Sequence, residues 1–218
     1  MPLVVRLRSA VTLLGRYPAL AGVDLDVGDG EIVLLSGANG AGKTTLLRLL
    51  AGLVPLSSGE GEVLGHDLAR DRRGARRDLA LVGHAPPAYD DLTVAENLRF
   101  VARAAGRDET PGSVVARVGL DRLADIRAGR LSAGQRRRLA IALALARAPR
   151  LLLLDEPHAG LDEASRAALD AVITDSAAAG RTVLLASHEL ERTRSLATRE
   201  VVLANGRIAP VAAPAVPA

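Results

Sequence analysis

Three features of this 218-residue chain predict an α/β fold built on a parallel sheet. A short apolar run over residues 32–36 ends at a glycine-rich loop, and a helical pattern follows over 44–50. The run Leu151-Leu152-Leu153-Leu154 is continuously apolar, as expected of a strand buried on both faces. Beyond it the chain alternates, helical over 164–179, strand over 182–186 and strand again over 200–204.

In chain order, apolar alternation over 4–7 and 23–27 predicts antiparallel strands of an N-terminal sheet, turned at residues 15–18. The strand at 32–36 feeds the loop and the helix at 44–50, which Ala51-Gly52 should stop. A short strand at 79–82 leads to a break at Ala85-Pro86-Pro87. Thr93-Val94-Ala95-Glu96 has capping-box spacing and opens a helix to about Ala105. Residues 108–130 read as further short helices, with Pro111 suited to a first turn, so about 86–130 is an inserted helical subdomain. The longest helical pattern covers 132–147. After the strand at 200–204 come an Asn205-Gly206 turn and a Pro/Ala/Val tail, 209–218, expected to be disordered. No internal repeat is visible.

The length suits one sizeable core, at most with a small satellite. Apolar residues make up 49%, yet there are only two Tyr, one Phe and no Trp, which argues against aromatic platforms for single-stranded nucleic acid. The pI of about 10.1 reflects arginine's high pKa, since the formal charge is only +3, and general affinity for DNA or acidic membranes gains little support. The absence of cysteine excludes disulfides, thiolate metal sites and cysteine nucleophiles. No apolar run approaches the ~20 residues of a membrane span, and no secretory segment is recognised at the start, so work at a membrane would go through a partner.

Of the 28 basic residues all but one are arginine, and the exception is Lys43. It stands in Gly37-Ala38-Asn39-Gly40-Ala41-Gly42-Lys43-Thr44, which fits the phosphate-cradling pattern G-x-x-x-x-G-K-[ST]. A slim ammonium reaches between the oxygens of neighbouring phosphates where a wide guanidinium fits badly. The glycines let successive N–H groups face the phosphates, the helix adds its positive end, and Thr44 offers a hydroxyl to Mg²⁺. This is a nucleoside triphosphate site.

Asp155 and Glu156 end the leucine run, at the C-terminal edge of a buried strand where open α/β sheets place their sites. Asp155 is suited to hold Mg²⁺, directly or through water, and Glu156 to polarise an attacking water. Leu131-Ser132-Ala133-Gly134-Gln135 contains the chain's only glutamine. A capping box accounts for Ser132 and Gln135 but not for Gly134, which costs about 1 kcal/mol in a first turn relative to alanine. A glycine there lets a phosphate approach the helix start.

The loop at Lys43, the Leu131–Gln135 segment, Leu154-Asp155-Glu156-Pro157, Gly160-Leu161-Asp162 and Ser187-His188 resemble, in order and spacing, the ATPases of ATP-binding cassette (ABC) transporters. The resemblance spans about residues 3–208. It implies an ABC ATPase domain over 1–208, a P-loop NTPase with a RecA-like core, an N-terminal antiparallel β subdomain and an inserted helical subdomain. It further implies a head-to-tail dimer that hydrolyses ATP with Mg²⁺. Each ATP would lie between Gly37, Ala38, Asn39, Gly40, Ala41, Gly42, Lys43, Thr44 and Thr45 of one chain and Ser132, Gly134 and Gln135 of the other. Asp162 would communicate across the interface, His188 would contact the γ-phosphate, and Glu156, His188 and Lys43 would be catalytic, with Thr44 and Asp155 on the metal.

Integral membrane permease subunits are the implied further partners, at the cytoplasmic face, with no direct nucleic-acid role. Two positions depart from the family pattern. His84 occupies the slot of a glutamine that senses Mg²⁺ and the permease, and the adenine-stacking aromatic is replaced in register by Leu14, with Tyr17 close by. Gly83-His84-x-Pro86 and Leu131–Gln135-x-Arg137-Arg138 are similar to the ATP-binding subunit of the haem exporter of cytochrome c maturation. The expected function is export, of haem or of a drug, lipid or other small molecule. A soluble ABC ATPase acting on nucleic acid or the ribosome is the remaining alternative.

Overall fold

The protein is described by a computed structural model covering residues 2–83, 88–107 and 111–209. His84, the break at 85–87 and the tail from 210 lie outside these residues. The N-terminal sheet holds β1 (Leu3–Leu14), β2 (Tyr17–Gly28), β4 (Ser58–Val63) and β5 (His66–Asp67) in the order β2-β1-β4-β5, all antiparallel. In β1 the buried Val5 and Leu7 alternate with exposed Arg6 and Arg8, the period-two pattern of a half-buried strand. Arg8 closes a bidentate pair with Asp26 of β2 at 2.8 Å, and that hydrogen-bonded guanidinium holds the Asp26 carboxyl below the usual carboxylate range. Pro18, read from sequence as part of the turn, lies inside β2, where a missing N–H is tolerated because β2 is an edge strand.

The second sheet has the order β10-β9-β3-β8-β7-β6. Its members are β3 (Ile32–Ser36), β6 (Leu79–Val82), β7 (Leu151–Asp155), β8 (Thr182–Ala186), β9 (Arg199–Ala204) and β10 (Arg207–Ile208). All neighbours are parallel except β10, which folds back antiparallel on β9 at the Asn205-Gly206 turn. Alternate side chains serve two cores. Val33, Leu35, Leu151, Leu153, Leu184 and Ala186 face α1 (Lys43–Leu50) and the N-terminal sheet. Leu34, Leu152, Leu154, Val183 and Leu185 face the helices of the other layer. That two-sided burial is why these strands are continuously apolar.

The second layer comprises α2 (Val94–Ala104), α3 (Pro111–Arg117), α4 (Ala133–Ala146) and α5 (Glu163–Ala178). Thr93 and Glu96 form the expected capping box on α2, with single-turn 3₁₀ helices at Asp121–Leu123 and Ala128–Arg130. Val94, Leu98, Val114 and Val118 of the helical segment share one apolar cluster with Leu139 and Leu143 of α4. Asn97, fully buried, satisfies itself on the carbonyls of Tyr89, Leu92 and Thr93 and on the Tyr89 N–H, which ties the segment's entry to α2. A short helix, α6 (Leu190–Leu196), follows β8.

Candidate nucleotide site

Strand β3 delivers the chain to Gly37, and α1 begins at Lys43. Glycine is required at two points of this loop. At Gly37 (φ 137°) a Cβ would stand 2.1 Å from the Leu203 carbonyl oxygen, and at Gly42 (φ 109°) 2.8 Å from that of Ala19. The loop is braced from outside, where Gly206 N–H donates to Ala41 O at 3.0 Å and Ala21 N–H donates to Gly206 O at 2.8 Å. Ala38, Asn39 and Gly40 are exposed, while Lys43 is buried and donates to Gly37 O at 2.7 Å and Ala38 O at 3.2 Å. An ammonium has three N–H groups, so one is free for a ligand in this arrangement.

Thr44 Oγ1 donates to Asp155 Oδ1 at 3.2 Å, linking α1 to the end of β7. Among the described residues no group of three or more His, Asp or Glu side chains could hold a metal alone. One hydroxyl and one carboxylate are nevertheless the donor set that suits Mg²⁺, which takes few protein oxygens and fills its shell with water and phosphate.

Asp155 pairs in register with Ala186, so the residues just beyond these two adjacent strands meet. Glu156 Oε1 lies 3.1 Å from His188 Nε2, and Glu156 Oε2 accepts the His188 backbone N–H at 3.2 Å. The Glu156 backbone has φ +50°, a left-handed conformation that costs a non-glycine residue about 1–3 kcal/mol. Its N–H is satisfied by Ala186 O at 2.9 Å. A carboxylate facing an imidazole at the mouth of a sheet can take and relay a proton.

Ser132 and Gln135 form a reciprocal capping box on α4, with Gln135 N–H on Ser132 Oγ at 3.2 Å and Ser132 N–H on Gln135 Oε1 at 2.9 Å. Both are the bonds that a capping box requires. Gly134 is different, because a Cβ there would meet only ordinary contacts, 3.5 Å from Gly160 O and 3.8 Å from Leu161. Among the described residues nothing within the chain demands this glycine. Asp162 caps α5 by accepting Ser165 N–H at 2.8 Å, and the hydrogen bonds from Ser165 hold its carboxyl below the usual range.

Thr44, Asp155, Glu156 and His188 are thus brought together, with Lys43 in the adjoining loop. Among the described residues no hydrogen bond or ion pair joins Ser132, Gly134 or Gln135 to the loop at 37–45. Arg137 of α4 links that helix to the strand-end acids instead, its guanidinium reaching the carbonyls of Gly83, Asp155, Glu156 and Pro157. At the far end of the β1–β2 hairpin Leu14 and Tyr17 face each other in register, both exposed.

Sequence reasoning missed one chain of polar contacts behind the site, which starts from a buried histidine. His158 is 1% exposed and its Nε2 lies 2.8 Å from Asp170 Oδ1 of α5, while Asp170 Oδ2 accepts from Arg192 of α6 at 2.5 Å and Arg192 also pairs with Glu163. A histidine among apolar neighbours gave no signal, since its partner is twelve residues on and the third member comes from a helix not foreseen.

Residues 20–159 match the family model described as "ABC transporter". The cytochrome c biogenesis ATP-binding export protein CcmA of Aromatoleum aromaticum is 42% identical over 172 residues, which is 77% of this chain and 80% of that protein. Its counterpart in Bordetella bronchiseptica is 41% identical, over 84% of this chain and 83% of that one. ATP-binding cassette sub-family A member 7 of Mus musculus is 38% identical over 88% of this chain, which spans only 9% of that protein's length. Among solved structures, the "ATP binding subunit of ABC transporter" superposes with a TM-score of 0.86 at 29% identity, covering 94% of this chain and 88% of that one. A dimeric post-hydrolysis state of the ATP-binding cassette MJ0796 with ADP and Pi gives 0.84 at 26% identity, over 94% and 97% of the two chains. With the phosphate loop, the strand-end acids and the α4 start all in place, the chain belongs to the ABC transporter family, as an ATPase domain.

Proposed function

We propose that this chain is the motor subunit of a membrane exporter and works as a head-to-tail pair holding two ATP molecules. The observation that carries the reading is the contact of Glu156 with His188 beside the Thr44–Asp155 bond. Lys43 and the N–H groups of residues 38–45 bind the β- and γ-phosphates, with Thr45 in the first turn of α1. Thr44 and Asp155 are the residues that would hold Mg²⁺, which supplies neutralisation of phosphate charge when bound.

Glu156 accepts a proton from a water whose oxygen forms a bond to the γ-phosphorus. The bond from that phosphorus to the β–γ bridging oxygen breaks, and its electron pair leaves with ADP. His188, held by Glu156, donates a hydrogen bond to the transferring phosphoryl group, and Lys43 offsets the charge gathering there. Ser132, Gly134 and Gln135 of the second chain close over the same triphosphate, with Asp162 at the seam. The dimeric relative supports this assembly.

No helix among the described residues is long and apolar enough to cross a membrane. In this reading permease subunits couple the motor to transport, at the cytoplasmic face, as membership of the ABC transporter family suggests. A groove of about 780 Å³ lined by Leu81, Tyr89, Phe100, Arg103, Leu143 and Arg147 suits their docking. Its wall is the edge-to-face pair of Tyr89 and Phe100, with centroids 5.1 Å apart. The CcmA relatives, matched over most of their length, favour a cargo used in cytochrome c biogenesis. The human relative named phospholipid-transporting ATPase ABCA7, 37% identical over 88% of this chain and 9% of its own length, supports lipid export as the second reading.

The test is phosphate release by the purified chain and by Glu156→Gln. The variant should bind ATP and lose turnover; parental rates in the variant would remove Glu156 as the base.

A further inference from the structure

Arg137 is a buried cation that, among the described residues, forms no ion pair. Its side chain goes instead to main-chain oxygens. Nη2 donates to Asp155 O at 2.6 Å and Glu156 O at 2.5 Å, Nε donates to Pro157 O at 3.4 Å, and Nη1 donates to Gly83 O. Burial pulls the guanidinium below its ordinary pKa, while Asp155 and Glu156 oppose that shift. A planar fork with five N–H donors can serve carbonyls on both sides at once, and a lysine cannot.

The positions of these carbonyls matter more than their number. Glu156 is the residue held at φ +50°, and its carbonyl is gripped by Arg137 while its N–H is gripped by Ala186 of β8. Gly83 directly follows β6 and precedes His84. The arginine stem itself leaves α4 at its fifth residue, two residues after Gln135. One side chain therefore fastens three segments: the α4 start, the strained turn of the base, and the exit of β6.

We propose that Arg137 is a positioning residue, which holds the Glu156 turn in the conformation that aims its carboxylate at His188 and makes that turn move with the α4 start. Resting on the shared-site reading above, this means that closure of Ser132–Gln135 on the ATP of one chain reaches the base that acts on the ATP of the other. The neutral stem of a methionine keeps the packing but removes every donor. Glutamine restores a shorter amide able to reach part of the carbonyl set.

The experiment compares Arg137→Met and Arg137→Gln in the full chain, measuring kcat, the ATP Kd and the Hill coefficient for ATP. Misplacing the base by a fraction of a residue's width should lower kcat of Arg137→Met by about 10²-fold. The Kd should stay within about threefold, because the phosphate loop does not touch Arg137. The Hill coefficient should fall towards one, and Arg137→Gln should recover about tenfold of the lost kcat. Turnover of Arg137→Met within about threefold of the parent overturns the proposal, as does a Kd that weakens in step with kcat. Should Arg137→Met fail to fold, Arg137→Gln decides alone by the same split between Kd and kcat. Glu156→Gln measured alongside separates the two ideas, since retained turnover there removes the base assignment, whatever Arg137 does.

Discussion

Glu156 meets His188 twice, through its Oε1 at 3.1 Å from the imidazole Nε2 and through its Oε2 on the His188 backbone N–H at 3.2 Å. The second bond fixes where the histidine's main chain sits, and the first fixes how its ring points. His188 is the more exposed of the two, with 52% of its side chain accessible against 26% for Glu156, as a group that reaches a ligand should be. His188→Ala should lower turnover by about 10²–10³-fold with little change in ATP affinity, read by phosphate release and by equilibrium binding.

Lys43 is buried and donates to the carbonyls of Gly37 and Ala38, a geometry that a compact ammonium suits better than a wide planar guanidinium. Lys43→Arg should therefore weaken ATP binding by about 10- to 100-fold despite keeping the charge, the equivalent of one charge-assisted bond. Titration with a fluorescent ATP analogue measures it. Affinity equal to the parent would show that the site needs only a cation.

Much of the site was legible because it is written in local patterns. The glycines of the loop answer to carbonyls of Leu203 and Ala19, yet their spacing alone announced the turn. Ser132 and Gln135 announced the cap they form. The strands of the central sheet could be read because burial on both faces leaves no polar position. By contrast β4, Ser-Gly-Glu-Gly-Glu-Val, has no strand-like composition, and pairing with β1 imposes its shape. The β10 strand and α6 were missed for the same reason, being short and dependent on their neighbours. That the partners of Arg137 are main-chain oxygens of Gly83, Asp155, Glu156 and Pro157 depends on tertiary geometry alone.

Asp162 caps α5, and in the proposed pair it would also lie at the seam; two substitutions measure what the cap contributes. Asp162→Asn keeps an acceptor for Ser165 N–H and should lose only the part of the bond that depends on the charge, a smaller loss than that of Asp162→Ala, which removes the cap. Because its folded pKa is depressed, the carboxylate's contribution is present above the unfolded carboxylate pKa and is lost as pH falls through the folded value. Urea unfolding across the acid range should show the difference between the parent and Asp162→Asn disappearing at the low end.

His158 is buried and anchored on Asp170, which Arg192 holds from the other side. Removing the ring in His158→Ala should cost about 2–3 kcal/mol. Calorimetry should then find Tm lowered by roughly 5–10 °C for a chain of this size. The ATP Kd should hold, since none of these groups touches the phosphate loop.

The central claim is that each ATP is shared, Lys43 on one chain and Ser132–Gln135 on the other, and Gly134 tests it most directly. A side chain at this position meets only ordinary contacts within its own chain, so Gly134→Asp should fold and bind ATP. Its carboxylate would face the partner's triphosphate. Sedimentation with MgATP in the Glu156→Gln background should find a dimer for Glu156→Gln alone and a monomer once Gly134→Asp is added, with ATP still bound. A dimer of undiminished stability in the double variant would contradict the shared site.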